Sequence, residues 1–172
     1  MSRHWILAGL IVLGSGGASG PLPAQTVDTT ELAQSARQPG EVNIEADRME
    51  VLDQQKRAIF IGNVDAQRGE VSFKTDKLIA DYVETTAESG ENDTEVTFLE
   101  ATGAVVIATP QQRITGAWAK MDVKSNQVTV GGNVVVTQGS TVLRGEQLFV
   151  DLDKNTSEMT GGRVKGKFVP RQ

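Results

Sequence analysis

"FIGNVDAQRG" (residues 60–69) and "VGGNVVVTQG" (residues 130–139) follow one plan. In each, Gly-Asn-Val is followed by a second glycine seven positions after the first, Gly62 to Gly69 and Gly132 to Gly139. Gly103 in "ATGAVVIA" and Gly162 in "MTGGRVKG" fill the equivalent places, at intervals of 41, 29 and 30 residues. The long interval contains "ETTAESGENDTE" (residues 84–95), an acidic stretch without apolar pattern that reads as an inserted solvent loop. Without about a dozen residues there, the intervals equalise. The sequence is therefore read as four copies of a unit of about 29 residues.

Each unit opens with alternating apolar residues whose phase then slips. Val42, Ile44 and Ala46 are followed by Met49 and Val51; Val71, Phe73 and Thr75 by Leu78, Ala80 and Tyr82. Ile114 and Gly116 precede Ala119, Met121 and Val123, and Leu143 and Gly145 precede Leu148, Val150 and Leu152. Side chains of a strand alternate between faces, so a step of three turns the apolar face outward unless a bulge or bend restores it. The repeated slip predicts a bend at the same place in every unit. Polar tips follow: "LDQQK" (52–56), "VKSNQ" (123–127) and "LDKNT" (152–156). The next strand carries apolar residues two and four places before and after the glycine, which marks a second bend open to a neighbour's backbone or side chain. Asn63 and Asn133 are expected to bond their own backbone there. Four short strands per unit give about sixteen, and copies of a doubly bent antiparallel unit stack into an elongated jelly roll or solenoid, apolar inside. The fold class is all-β.

Of the 172 residues 38% are hydrophobic and only 5% aromatic, with 18 glycines and no cysteine. That composition suits one domain of short strands and excludes disulfides and thiolate chemistry. At the N-terminus Arg3 and His4 precede "WILAGLIVL" (5–13) and then "GSGGASGPLPA". Nine apolar residues are too few to cross a bilayer, so residues 1–24 read as an export signal cleaved after Ala18 or Ala24. The rival is an uncleaved anchor. Residues 25–40 form a linker or short helix, with Asp28 and Glu31 as a capping box, and residues 41–169 form the β domain. Losing Arg3 lowers the basic count from 17 to 16 against 22 acidic residues, a net charge of −6, and losing His4 leaves no histidine. An acidic chain disfavours nucleic acid, and one without histidine lacks the usual general base and the commonest metal ligand. No cofactor, metal site or catalytic residue is assigned. "DLDKNTSE" from Asp151 begins like a calcium loop but has Thr156 and Gly162 where glycine and glutamate belong, so it reads as a hairpin tip. Asp47 and Asp76 recur at equivalent bends, as structural residues do.

"IEADRMEVLDQQKRAIFIGNV", "TDKLIADY", "EATGAVVIA" and "GGNVVVTQG...LRGEQLFVDLDKN" resemble the OstA-like/LptA family of the lipopolysaccharide transport system, over residues 41 to about 168. The resemblance implies a slightly open antiparallel β-jelly roll that binds the acyl chains of lipopolysaccharide inside and stacks end to end. It implies a periplasmic, non-enzymatic role in a bridge from inner to outer membrane. The implied partners are lipopolysaccharide and the inner-membrane-anchored and outer-membrane OstA-like components. Alternatives are a membrane-anchored component of the same system, and a structural β-solenoid polymer with a filled core. The loss of Asn at Ala104 and Arg163 and the acidic insertion depart from the family pattern.

The residues expected to face inward and line a lipid site are Ile44, Met49, Val51, Phe60, Val64, Phe73, Leu78, Tyr82, Leu99, Val105, Ile107, Ile114, Met121, Val123, Val128, Val130, Val134, Val136, Leu143, Leu148, Val150 and Leu152. Stripes of this kind also simply fill cores, and it is the resemblance that favours lipid. Leaving water stabilises an acyl chain by about 0.8 kcal/mol per CH₂, so a chain of about a dozen carbons gains roughly 8–10 kcal/mol. Arg57, Arg68, Lys74, Lys77, Arg113, Lys120 and Arg144 are candidates for a phosphate-binding rim or for ordinary surface charge. The last strand ends near Val169 with nothing after it to cap the edge, which predicts head-to-tail self-association. Lys165, Lys167 and Pro170 are the features that would blunt that edge instead.

Overall fold

The phase slips in the sequence coincide with the places where the sheet loses register. A computed structural model describes residues 30–37, 41–86 and 92–168. The export signal, Asp28 and Val169 lie outside the described residues. Within them the chain forms one helix, α1 (Thr30–Arg37), and ten strands. These are β1 (Asn43–Glu45), β2 (Arg48–Leu52), β3 (Arg57–Arg68), β4 (Val71–Thr86), β5 (Asn92–Ala108), β6 (Gln112–Asp122), β7 (Gln127–Gln138), β8 (Thr141–Asp151), β9 (Thr156–Thr160) and β10 (Lys165–Lys167). All ten belong to one open antiparallel sheet in the order β1-β3-β4-β5-β6-β7-β8-β10, with β2 also on β3 and β9 also on β8.

The expected sixteen short strands are therefore ten. Six of them run straight through the bend, whereas at each end of the sheet the bend divides the outermost level into two pieces. At the bend, register shifts fall between Ile61 and Val64, Lys74 and Lys77, Thr102 and Val105, Thr115 and Trp118, and Gly131 and Val134; one more, between Asp81 and Tyr82, lies away from the bend. On one strand two residues with positive φ form the bulge: Gly62 and Asn63, Gly103 and Ala104, Gly132 and Asn133, Gly161 and Gly162. On its neighbour one residue faces them. A Cβ on Gly62 would land on the Asp47 carboxylate, on Gly103 on that of Asp76, on Gly132 2.5 Å from the Ala117 Cβ, and on Gly161 2.5 Å from the Glu146 Cβ. Only glycine leaves that space and adopts that φ without strain. The fourth copy is thus aligned on Gly161, one residue earlier than the Gly162 expected, and the last two intervals are both 29. The reason is that the unit requires two consecutive left-handed residues, which Gly161-Gly162 supplies and Gly162-Arg163 does not. Asn63 also bonds differently from expectation. Its amide donates to the Asp47 carboxylate at 2.9 Å rather than to its own backbone.

Cross-strand register assembles the apolar positions into rows. One row is Val51–Ala58–Ala80–Leu99–Met121–Val128–Val150, and the next is Met49–Phe60–Leu78–Ala101–Ala119–Val130–Leu148–Met159. Beyond the bend lies Ile44–Ala66–Phe73–Ile107–Ile114–Val136–Leu143. Val64, Leu78, Val105, Ile114, Val130, Val134, Leu148 and Val150 from these rows and the bend are buried in a single core cluster that spans the length of the sheet. Trp118, whose orientation the sequence leaves open, lies on the outer face. It pairs with Gly131, and its indole occupies the place of the missing Cβ.

The acidic insertion is a hairpin arm rather than a loop. β4 and β5 stay paired from Tyr82–Val96 out to Thr86–Asn92, past the last pairs with β3 (Arg57–Asp81) and β6 (Phe98–Asp122). Backbone pairing continues because Val83, Thr85, Thr94 and Val96 are strand formers. Two of them, Val83 and Val96, remain exposed.

Candidate functional site

The inner rows do not fill the space they enclose. An apolar cavity of about 350 Å³ remains, within the range of ligand-binding pockets. Small side chains contribute to it: Ala66 on β3, Ala80 on β4, Ala101 on β5 and Ala119 on β6 are all among its lining. Twelve residues of the expected set line it: Ile44, Phe73, Leu78, Leu99, Ile107, Ile114, Met121, Val123, Val128, Val130, Val150 and Leu152. Phe60, Val64, Val105, Val134, Val136, Leu143 and Leu148 belong to the core or pack against it without lining this cavity. They form its supporting wall.

Met49 and Val51 share the inner rows by register but sit at the open β2 edge, where they are 54% and 49% exposed. Tyr82 does not line the cavity either. It continues β4 into the arm, where its hydroxyl donates to the Asp53 carboxylate at 3.4 Å. The cavity also has lining residues outside the expected set, among them Leu32, Val42, Ala66, Val71, Ala80 and Val96. Val42, Val71, Ala80 and Ala119 were legible as members of the alternating runs, and Ala66 and Ala101 by their spacing from Gly62 and Gly103. The alanines' contribution is their smallness. Leu32 comes from α1, outside the repeats. Val42 is 50% exposed, so the cavity opens at the β1 edge.

The basic residues divide between the two uses considered. Arg57 pairs with Asp81 at 2.5 Å, Lys120 with Glu100 at 3.5 Å, and Lys74 with Asp65. These are cross-strand pairs on the polar face. Arg68 lines the cavity, and so does Lys120 beside its pairing with Glu100. The Arg57 guanidinium holds the Asp81 carboxyl below the usual carboxylate range. Lys154 does the same to Asp151, through its ammonium at 2.8 Å and then its backbone N–H at 3.0 Å. The backbone N–H of Ser125 does so for Asp122. Asp151 is thus engaged in a tight turn. Among the described residues no group of His, Asp or Glu is arranged to hold a metal ion, and no helix is long and apolar enough to cross a membrane.

An open, bent antiparallel sheet with this interior matches a known family. The model described as LptA/(LptD N-terminal domain) LPS transport protein matches residues 43–155 and 113–171. The chain belongs to this family. As a member it is a lipopolysaccharide (LPS) transport protein with the LptA-like all-β fold. It is similar to an uncharacterized protein of Rhizobium meliloti, 27% identical over 173 residues covering 96% of this chain and 92% of that protein. It is 32% identical over 85 residues to the LPS-assembly protein LptD of Neisseria gonorrhoeae, covering 49% of this chain but 10% of LptD. The fold is also that of LptH from Pseudomonas aeruginosa, the LptA homologous periplasmic component of its LPS transport device. The TM-score is 0.63 at 15% identity, covering 76% of this chain and 96% of LptH.

Proposed function

We propose that this chain is a non-enzymatic periplasmic carrier that shelters LPS acyl chains in the inner cavity. It passes LPS from the inner toward the outer membrane as one link of a head-to-tail protein bridge. The observation that carries this reading is the cavity itself: an interior of aliphatic side chains that stays open and reaches a sheet edge. A site of this kind gains its affinity from burial at about 0.8 kcal/mol per methylene and needs no polar recognition. Neighbouring sites of equal affinity then exchange lipid with no net cost.

Both sheet edges support assembly. At one, β1 carries exposed Glu45 and β2 carries Glu50 paired with Arg48 at 3.1 Å, beside exposed Val42, Met49 and Val51. At the other, β10 and its approach carry exposed Arg163, Lys165 and Lys167, and the Phe168 ring lies over Gly166 against Leu143, 41% exposed. Glu45 on β1 against Lys165 and Lys167 on β10, with apolar surface at both edges, favours joining the first edge to the last, with ladder hydrogen bonds completed across the junction. The inner rows then run on from copy to copy, or on to the inner- and outer-membrane members of the same system.

The test is to fill the cavity. Ala80→Phe and Ala101→Phe should each lower LPS binding tenfold or more in a fluorescence titration, while Phe149→Ala on the outer face leaves it unchanged. Folded variants with filled cavities and undiminished binding would contradict the reading.

A further inference from the structure

The cargo proposed above carries several acyl chains, and the room for them depends on what the wall of the cavity can give up. Among the described residues the wall has one helix, α1, beside the strands and their turns. Its Leu32 lines the cavity, its Ala33 is 4% exposed within the core cluster, and the helix touches β4. At its start, the Thr30 Oγ1 accepts a hydrogen bond from the Asn155 Nδ2 in the β8–β9 turn at 3.2 Å. The helix thus spans from that turn to β4 across the inner face.

We propose that α1 is a displaceable lid, and that its Leu32 occupies space the second and later acyl chains need. This rests on the LPS reading above. An eight-residue helix is not stable by itself and holds its place by packing. The four carbons of one Leu side chain are outweighed by a dozen acyl carbons on the same methylene scale. A single slender chain enters beneath the closed lid through the open Val42 mouth, whereas the wider cross-section of a lipid with several chains lifts it.

The chain has no cysteine, so Thr30→Cys and Asn155→Cys in the full chain can be joined by a short, reducible thiol cross-linker. Uptake of LPS from micelles and of dodecanoate is then measured before and after reduction. The expected result is that cross-linking slows LPS uptake at least tenfold, that reduction restores it, and that dodecanoate binding changes less than twofold. Leu32→Ala without the cross-link should speed LPS uptake several-fold. Equal LPS uptake with the lid locked and free would overturn the lid, as would equal sensitivity of the two probes. If the reduced protein bound neither probe, the lipid reading itself would fall and the lid with it. In that outcome both states are silent, which separates it from a lid that merely fails to matter.

Discussion

Ala104 occupies a left-handed position, φ +45°, that two other copies of the unit give to asparagine and the fourth gives to glycine. An L-residue with a Cβ costs about 1–2 kcal/mol there, and asparagine is tolerated far better. Asparagine at 104 would also face Asp76, as Asn63 faces Asp47 with a 2.9 Å bond. The site is exposed, so that bond is worth only about 0.5 kcal/mol. Ala104→Asn should therefore stabilise the domain by about 1–2 kcal/mol and raise Tm by roughly 3–7 °C. In an Asp76→Ala background the backbone part of the gain should persist and the bond's share should vanish, a coupling of about 0.5 kcal/mol. Thermal and urea melts of the four proteins complete the cycle. A Tm at or below wild type for Ala104→Asn would refute the strained-copy argument. A gain that ignores Asp76 would refute the equivalence of the bends.

Leu148 is 0% exposed in the core, so Leu148→Ala should cost about 2–5 kcal/mol in a urea melt. Met49→Glu at one edge, or Phe168→Glu at the other, should weaken self-association at least tenfold by sedimentation velocity, while Tm moves less than about 2 °C, because both residues are largely exposed. Asp81, Asp122 and Asp151 are held below the ordinary carboxylate value of about 3.9 by Arg57, Ser125 and Lys154. Their unfolded forms therefore take up protons first as pH falls. Their contribution is complete above about pH 5 and drains away below about pH 4. A Tm–pH profile should show that acid limb, and Asp→Asn at the three positions should flatten it.

The sequence made the repeat legible because a strand has only two faces. A step of three from Thr75 to Leu78, or from Gly145 to Leu148, has no tertiary remedy except a bulge, and the bulges are where the steps are. The fourth copy was misaligned by one residue because "TGGRV" offers two glycines to a single-glycine pattern, and only backbone φ separates them. The insertion reads as a loop in the sequence because its acidic residues hide the β-branched residues, Val83, Thr85, Thr94 and Val96, that carry the ladder outward. For the site, alternation identified the inner face reliably, yet no local pattern distinguishes a residue that lines a void from one that closes it. That difference depends on what lies across the fold. Leu99 lines the cavity and Leu148 does not, although both sit on the same inward parity. Met49 and Val51 show the remaining gap: parity sets their direction, but only their place at an edge leaves them uncovered.

The central claim is that fatty chains reside on the inner face. A photoreactive residue placed at Leu99 or Ile107, beside LPS, tests it against the same residue at Trp118 or Phe149 on the outer face. The account predicts LPS adducts from the first two positions and none from the others; adducts of equal yield from both faces, or none from the inner one, would contradict it.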